Sequence, residues 1–366
     1  MISNLQSPII VVSNYLRNLI NLTRSQPVLL PLVAVYHLTG RCNLNCVYCE
    51  DYGARRPNDE LARLGVLPLA QANRVLTILR QATPHLILTG GEPLLYPEID
   101  TLVSQAKAGH HFRHVTLLTN GLLLSKHLDL LPYLDRLVIS LDSLDVTRWG
   151  QTIGLDSRAA EIIIQTIVEV AGYQADCKFE LVANCVITPE TLPNAETVLD
   201  FCLKRHIAFA FSPQSFNNWP RYELRVAEAY RAFVDKVIAY KKQGLKILGS
   251  LAYLKLARDF QPYACYPTLV PRVLPNGGLI YPCRPIERSQ TAQGGRPCNL
   301  TRVASWAEAM RLAVEKFGPP PQTCFSCFQQ CYAEPSLMQA QPASFLGELV
   351  MFSASRRAKL HIFAPG

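Results

Sequence analysis

Between Leu32 and Phe211 six short apolar runs rich in Val, Ile and Leu alternate with turns and five longer stretches of helical period. The apolar runs read as strands at Leu32–Leu38, His85–Thr89, His114–Thr119, Arg136–Leu141, Phe179–Ile187 and Ile207–Phe211. Helical stretches lie near Pro68–Gln81, Glu98–Gly109, Ser125–Tyr133, Ser157–Tyr173 and Asn194–Arg205. Near-continuous apolar strands need cover on both faces, and intervening helices supply it when the strands run parallel. Six such units predict an α/β fold, a partial (β/α)6 barrel. Its chemistry belongs at the carboxyl ends of the strands, where the polar and glycine-rich motifs fall.

With 366 residues, 49% of them apolar and 17% charged, the chain is neither disordered nor a disulfide-stapled miniprotein. It can bury a core without staples, so its 12 cysteines call for a chemical explanation. The net charge of +8 is scattered, with no dense Lys/Arg run interleaved with aromatics, and no nucleic-acid partner is expected. The early apolar run Ile9, Ile10, Val11, Val12 has no cationic residue before it and no cleavage site after it. No uninterrupted apolar stretch reaches the ~18 residues of a spanning helix. A cytoplasmic location follows as the expectation, with thiols kept as metal ligands or core residues.

After Phe211 the rhythm changes to a helix over Tyr222–Gln243 and then to a segment holding half of the cysteines. The expected organisation is an amphipathic extension over 1–31, the barrel over 32–243, a small α+β domain over 244–335 and an amphipathic tail over 336–366. Phe345–Phe363 gathers Arg356, Arg357 and Lys359 on one side, and Ile9–Leu22 carries Arg17. Both segments are expected to pack on the body of the protein, with docking on a membrane surface as the alternative.

The loop after the first strand places Cys42, Cys46 and Cys49 within eight residues. Three thiols with no fourth Cys or His nearby leave a tetrahedral structural zinc site incomplete. Soft thiolates favour iron-sulfur chemistry, and a cubane held by three cysteines leaves one iron open. This C-x3-C-x2-C spacing, with Tyr48 before the last Cys, resembles the signature of the radical S-adenosylmethionine (radical SAM) superfamily. Leu88-Thr89-Gly90-Gly91-Glu92-Pro93 resembles that family's glycine-rich motif, where backbone groups meet the methionine amino group. Further matches follow at Thr119-Asn120-Gly121, Ser140-Leu141-Asp142-Ser143, the segment of Arg148 and Gly154, and Asn184-Cys185-Val186-Ile187.

The resemblance implies a 4Fe-4S cluster on Cys42, Cys46 and Cys49, and S-adenosylmethionine held by Tyr48, Gly90, Gly91, Glu92, Asn120, Ser140, Asp142, Asn184 and Ile187. It implies reductive cleavage of that cofactor to a 5′-deoxyadenosyl radical, which abstracts hydrogen from a substrate, with an electron donor such as flavodoxin or ferredoxin.

The later spacing Cys265-x12-Gly278-x4-Cys283, followed by Cys324-x2-Cys327, resembles the auxiliary-cluster domains called SPASM and twitch. There a hairpin carries the first pair, and Asn276-Gly277-Gly278 is a hairpin-turn signal. A helix over Leu300–Lys316 leads to the later thiols. The resemblance implies one auxiliary 4Fe-4S cluster on Cys265, Cys283, Cys324 and Cys327, with Cys298 and Cys331 spare or alternative ligands; a structural zinc site is the alternative. Cys177, Cys185 and Cys202 read as small core residues. No residue stands out as a catalytic base; the candidates Arg272, Arg284 and Glu287 near the hairpin read equally well as solvated surface charges.

The implied reaction is oxidation, crosslinking or another modification of a peptide or small-molecule metabolite. One alternative is the same chemistry on a membrane-associated lipid or isoprenoid. Another is a non-catalytic electron-transfer or scaffold protein. A separate leader-binding domain, usual in many peptide maturases, is not expected from the residues before the first strand, which weighs against a peptide without excluding it.

Overall fold

Parallel strands form as the apolar runs predict: β1 (Ala34–His37), β2 (His85–Thr89), β3 (His114–Thr119), β4 (Arg136–Ser140), β5 (Glu180–Ile187) and β6 (Ala208–Pro213) pair in chain order. The computed structural model describes residues 9–53, 60–216, 218–286, 295–321, 324–325 and 327–342. The expected amphipathic segment Phe345–Phe363, with Arg356, Arg357 and Lys359, lies outside these residues, as does Glu287.

Alternation along each strand builds two faces. Leu86, Leu88, Val115, Leu117, Leu137, Ile139 and Leu181 are fully buried, on the face that strand alternation turns toward the helices. The opposite set, Val35, Ile87, Thr116, Val138, Asn184 and Ala210, lines a cavity inside the curved sheet. Small and β-branched side chains on that inner face leave the barrel axis open.

A β7–β8 ribbon (Ser215–Phe216, Trp219–Pro220) follows β6. The chain then returns to the opposite edge of the barrel. There β9 (Arg272–Val273) pairs parallel with β1, and β10 (Leu279–Ile280) pairs antiparallel with β9. The result is an eight-stranded sheet in the order β10-β9-β1-β2-β3-β4-β5-β6, open between its edges, a partial barrel. The β6 edge is covered, since the Phe209 amide donates to Lys246 O at 2.8 Å and the Leu248 amide to Phe209 O at 2.8 Å. Pairing of this kind blunts an edge that would otherwise invite aggregation.

Helix Leu69–Ala82 shows how the cover is built. It turns Ala72, Val75, Leu76, Ile78, Leu79 and Ala82 inward at the helical period. Each large aliphatic side chain buried there contributes roughly 1.5–3 kcal/mol relative to exposure.

Several elements differ from the sequence reading. Over Ser125–Tyr133 two 3-10 segments, Leu124–Lys126 and Leu128–Tyr133, replace the expected α-helix. Pro132 lacks an amide hydrogen and crowds the preceding turn, yet Leu124, Leu130 and Leu131 still reach the core. The stretch Glu98–Gly109 is α-helical only over Ile99–Ser104 and widens into a π turn at Gln105–Gly109. Extended backbone at Ala227 splits the Tyr222–Gln243 helix into Tyr222–Val226 and Glu228–Lys242. The helix expected from Leu300 begins at Trp306, where the Ser305 side chain caps it by accepting from the Glu308 amide.

The C-terminal segments wrap the barrel. Arg74, on the helix before β2, donates to Thr301 O at 3.1 Å and to Val303 O at 2.7 Å, and the Trp306 amide donates to Gln81 Oε1 at 3.0 Å. Helix Gln330–Ala340 meets the N-terminal helix Ile9–Thr23, where the Tyr15 hydroxyl donates to Met338 O at 3.1 Å. Among the described residues no helix is long and apolar enough to cross a membrane.

Candidate active site

The loop from Thr39 to Gly53 leaves the carboxyl end of β1 and is gripped from three sides. From β2, the Gly91 amide donates to Thr39 O and the Glu92 amide to Arg41 O, both at 2.8 Å. A Cβ on Gly91 would stand 2.1 Å from Arg41 O, and Gly90 adopts φ +149° with its Cβ position 2.5 Å from Thr39 O. What demands glycine here is therefore the backbone of the cysteine loop itself. The Gly91 and Glu92 amides are thus spent on the cysteine loop.

From the side, helix Val146–Ile153 presents its final carbonyls, which accept from the Asn45 amide at 2.9 Å (Ile153 O) and the Val47 amide at 2.9 Å (Thr152 O). Gly154 ends that helix at φ +71°, and a Cβ there would lie 2.7 Å from Asn45 O. Arg148, by contrast, is exposed on the helix's outer side. From β3, the Asn120 side-chain amide donates to Asn43 Oδ1 at 2.7 Å and approaches Cys42 Sγ at 3.9 Å.

So held, Cys42, Cys46 and Cys49 all line a cavity of about 1470 Å³ that runs along the barrel interior. Burial pushes the Cys42 thiol up to about 11 and the Cys46 thiol up to about 12 and raises that of Cys49; Cys49 raises both others further, and Cys42 raises Cys46. Three such groups become thiolates together only beside a compensating cation, which is what a bound cluster supplies.

The cavity wall beside them is polar. The Tyr48 hydroxyl donates to Asp142 Oδ2 at 2.6 Å, and the Val186 amide donates to Asp142 Oδ1 at 2.8 Å. Burial pushes the Asp142 carboxyl up to about 6, held back by those two bonds. Ser140, Asn184 and Ser212 continue the wall, with the Ser212 hydroxyl donating to Asn184 Oδ1 at 3.1 Å.

Of the residues expected to contact a cofactor, Tyr48, Gly90, Gly91, Asn120, Ser140, Asp142 and Asn184 line the cavity. Glu92 and Ile187 do not. Glu92 is 1% exposed and spends its carboxylate inside the fold: Oε1 accepts from Thr119 Oγ1 at 2.6 Å and from the Leu94 amide at 3.0 Å, and Oε2 accepts from the Asn120 amide at 2.8 Å. Ile187 falls on the helix-facing side of β5, because strand alternation gives the cavity to Val186 and Asn184.

Five of the later cysteines gather near the same cavity. Cys265 and Cys324 face each other across an antiparallel bridge, the Cys265 amide donating to Cys324 O at 3.0 Å. Burial raises the Cys265 thiol and pushes those of Cys283 and Cys327 up to about 12, and the neighbouring thiols, Cys324 and Cys331 among them, raise them further. Cys331 itself lines the cavity. Cys298 turns away and donates to Ala309 O on helix Trp306–Phe317. Cys185 and Cys202 are fully buried, while Cys177 is half-buried. Among the described residues no three His, Cys, Asp or Glu side chains close on one point as ligands of a single metal ion would. A cubane takes one thiolate per iron and so spreads its ligands.

The cavity wall also carries two residues not singled out from the sequence, His37 and Tyr52, beside the candidates Arg272 and Arg284. The two arginines are thus not solvated surface charges. A signal existed for His37, the polar residue of an otherwise apolar strand, in register with the inward-facing Val33 and Val35.

The family model described as "Radical SAM superfamily" matches residues 36–155, the span holding the cysteine loop, the glycine motif and β1 to β4. Over these residues the chain is similar to the radical SAM superfamily. Curated relatives include a probable GTP 3′,8-cyclase of Methanococcus aeolicus, 29% identical over 171 residues that make up 46% of this chain and 54% of that protein. A GTP 3′,8-cyclase of Chlorobaculum tepidum is 36% identical over 111 residues, 30% of this chain and 32% of the relative. The radical SAM match therefore spans about half or less of the length of such relatives. Among solved structures, SuiB of Streptococcus suis is similar with a TM-score of 0.58 at 18% identity, covering 81% of this chain and 69% of SuiB. The protein titled anSMEcpe with bound AdoMet is similar with a TM-score of 0.53 at 16% identity, covering 86% of this chain and 98% of that one. At such identities the likeness is one of fold, and it covers more of the chain than the residues matched by the family model.

Proposed function

We propose that this radical SAM protein is an enzyme that oxidises, crosslinks or otherwise modifies a peptide or small metabolite, with an auxiliary 4Fe-4S cluster beside the substrate. One observation carries the reading: thiols from both cysteine groups, Cys42, Cys46 and Cys49 from the loop and Cys331 from the tail, open onto the same cavity. When bound, a 4Fe-4S cluster and S-adenosylmethionine supply one-electron chemistry able to break an unactivated C–H bond, which side chains cannot do alone.

The chain's own residues have separable tasks. Cys42, Cys46 and Cys49 would hold the first cluster, and Cys265, Cys283, Cys324 and Cys327 the auxiliary one, with Cys331 close enough to take part. Asp142, fixed by Tyr48 and the Val186 amide, together with Ser140, Asn184 and Ser212, offers acceptors and hydroxyls for the polar parts of S-adenosylmethionine.

Support for a peptide comes from a fold neighbour, SuiB bound to precursor peptide SuiA. Support for a small molecule comes from the names of the GTP 3′,8-cyclases. A lipid at a membrane surface is the second reading, favoured by Leu16 and Ile20, 52% and 51% exposed on helix Ile9–Thr23. Equal partitioning of the full chain and a form lacking residues 1–31 and 336–366 in liposome co-sedimentation would remove it.

The test of the main reading is anaerobic reconstitution with iron and sulfide, an iron count, then S-adenosylmethionine with a strong reductant. The expected result is about eight irons, as two cubanes require, and formation of 5′-deoxyadenosine. The triple variant C42A/C46A/C49A should lose the product and keep the tail iron. Tightly bound zinc without product overturns the proposal.

A further inference from the structure

One stretch of cavity wall has no task in the reading above. His37 ends β1, and Arg272 lies on the neighbouring strand β9, whose register sets it beside Val35. The His37 Nδ1 shares a hydrogen bond of 2.8 Å with the Tyr52 hydroxyl, at the end of the cysteine loop. Arg284, just after Cys283, pairs with Asp51 at 3.5 Å. Arg272 stacks over the Tyr332 ring, 5.0 Å from its centroid, and one of its terminal nitrogens donates to Cys331 Sγ. All of these side chains line the cavity.

Two of their polar atoms are buried without a partner in the chain: His37 Nε2 and Arg272 Nε. A buried polar group left unpaired costs about 1–3 kcal/mol, and folds retain such groups where a ligand completes them. Guanidinium groups present forked donors that match the two oxygens of a carboxylate or phosphate. In the tautomer in which Tyr52 donates to Nδ1, the imidazole of His37 carries its hydrogen on Nε2, the atom left without a partner. Burial, and then the Arg272 guanidinium, hold that imidazole neutral, with its pKa lowered to about 3. It therefore adds a donor without adding a charge.

We propose that Arg272, Arg284 and His37 form an oxyanion-holding site on this wall, and that the substrate of the cavity carries a carboxylate or phosphate group that docks there. The proposal rests on the cavity being the active site, and it narrows the substrate to an anion anchored between the two cysteine groups. Its location follows from topology. The return of the chain to the free edge of β1 sets a residue more than 200 positions away beside Val35, two residues before His37.

The test uses the full chain, reconstituted with iron and sulfide, and calorimetric titration with two probes, inorganic pyrophosphate and glutarate. At least one probe should bind, and R272Q and R284Q should each weaken it ~10- to 100-fold, the contribution of hydrogen bonds to charged groups. R311Q, which removes an exposed cation paired with Glu315 on helix Trp306–Phe317, should leave the affinity unchanged. Preference for pyrophosphate assigns a phosphate-bearing substrate, and preference for glutarate a carboxylate. R272K keeps the buried cation and guards against misfolding; it should weaken the anion less than R272Q does.

Three results overturn the site: no binding of either probe at millimolar concentration, unchanged affinity in both glutamine variants, or loss of tail iron in R272Q with affinity falling only in proportion. Loss of S-adenosylmethionine binding in R272Q, with the probes unaffected, also overturns it by assigning the guanidinium to the cofactor carboxylate. None of these readouts needs turnover. A chain that makes no 5′-deoxyadenosine can still pass, and one that makes it can fail.

Discussion

At the scale of single residues, the cysteine loop is held by groups that never touch a reacting atom. Gly91 has no room for a methyl group, and the atom in the way is the Arg41 carbonyl, which cannot move without taking Cys42 along. G91A should therefore displace the loop. Iron per chain after reconstitution should fall by about half, with the tail iron kept, and an unchanged iron count would show that the loop tolerates the shift. Glu92 acts one step further out. Its carboxylate accepts from Thr119, Leu94 and Asn120, joining the ends of β2 and β3. E92Q keeps the size but turns an amide hydrogen donor toward donors, so at least one bond becomes a clash. A loss of about 1–3 kcal/mol in unfolding free energy is expected, read from the urea midpoint. Equal midpoints for the two proteins would mean that the bonds add nothing.

At the scale of elements, the hairpin β9–β10 and helix Trp306–Phe317 divide the later cysteines. The thiols of Cys265, Cys283 and Cys327 are raised by burial and by neighbouring thiols, Cys324 and Cys331 among them, while Cys298 faces the carbonyl of Ala309. C298S should keep full iron after reconstitution, and C327S should lose the tail portion; iron loss in C298S would move the site to the other side of the hairpin. These elements also mark where the sequence was legible. The six parallel strands were readable because each is an apolar run long enough to be buried on both faces. The cysteine triplet was readable because three thiols at that spacing serve few chemistries. The direction of the Glu92 carboxylate was not readable, since the turn after a strand offers several, and the bonds that choose one come from β3. Ile187 failed on a one-residue parity that the apolar run does not display. Arg272 was hidden because its neighbours are made by pairing with β1, a contact far off in sequence that no local pattern encodes.

At the scale of the whole molecule, the two ends of the barrel carry opposite tasks. The carboxyl ends of the strands hold the thiols and the polar wall. The amino ends carry an inward layer of His85, His114, Arg136 and Glu180, in which Arg136 donates to Glu180 Oε2 at 2.8 and 2.6 Å and the two imidazole centroids lie 5.5 Å apart. Burial, and then the Arg136 cation, push the pKa of His114 down to about 2, and burial with nearby cations pushes that of His85 down to about 4. Both rings are thus neutral in the fold at pH values where the unfolded chain, with histidines near 6.5, has taken up protons. The unfolded state then binds more protons, so stability is full above pH 6.5 and falls as the pH drops toward 4, by up to about 1.4 kcal/mol per pH unit for each histidine. Asp142 works in the opposite sense: its raised pKa lets the folded state hold a proton below about 6, which offsets one histidine. The difference between wild type and the double variant H85N/H114N isolates the barrel floor from the thiols and from Asp142. Urea midpoints at pH 7, 6, 5 and 4.5 should converge as the pH falls, because only the wild type loses the histidine contribution. Parallel pH profiles for the two proteins would mean that these imidazoles are charged in the native state and that the floor is solvated.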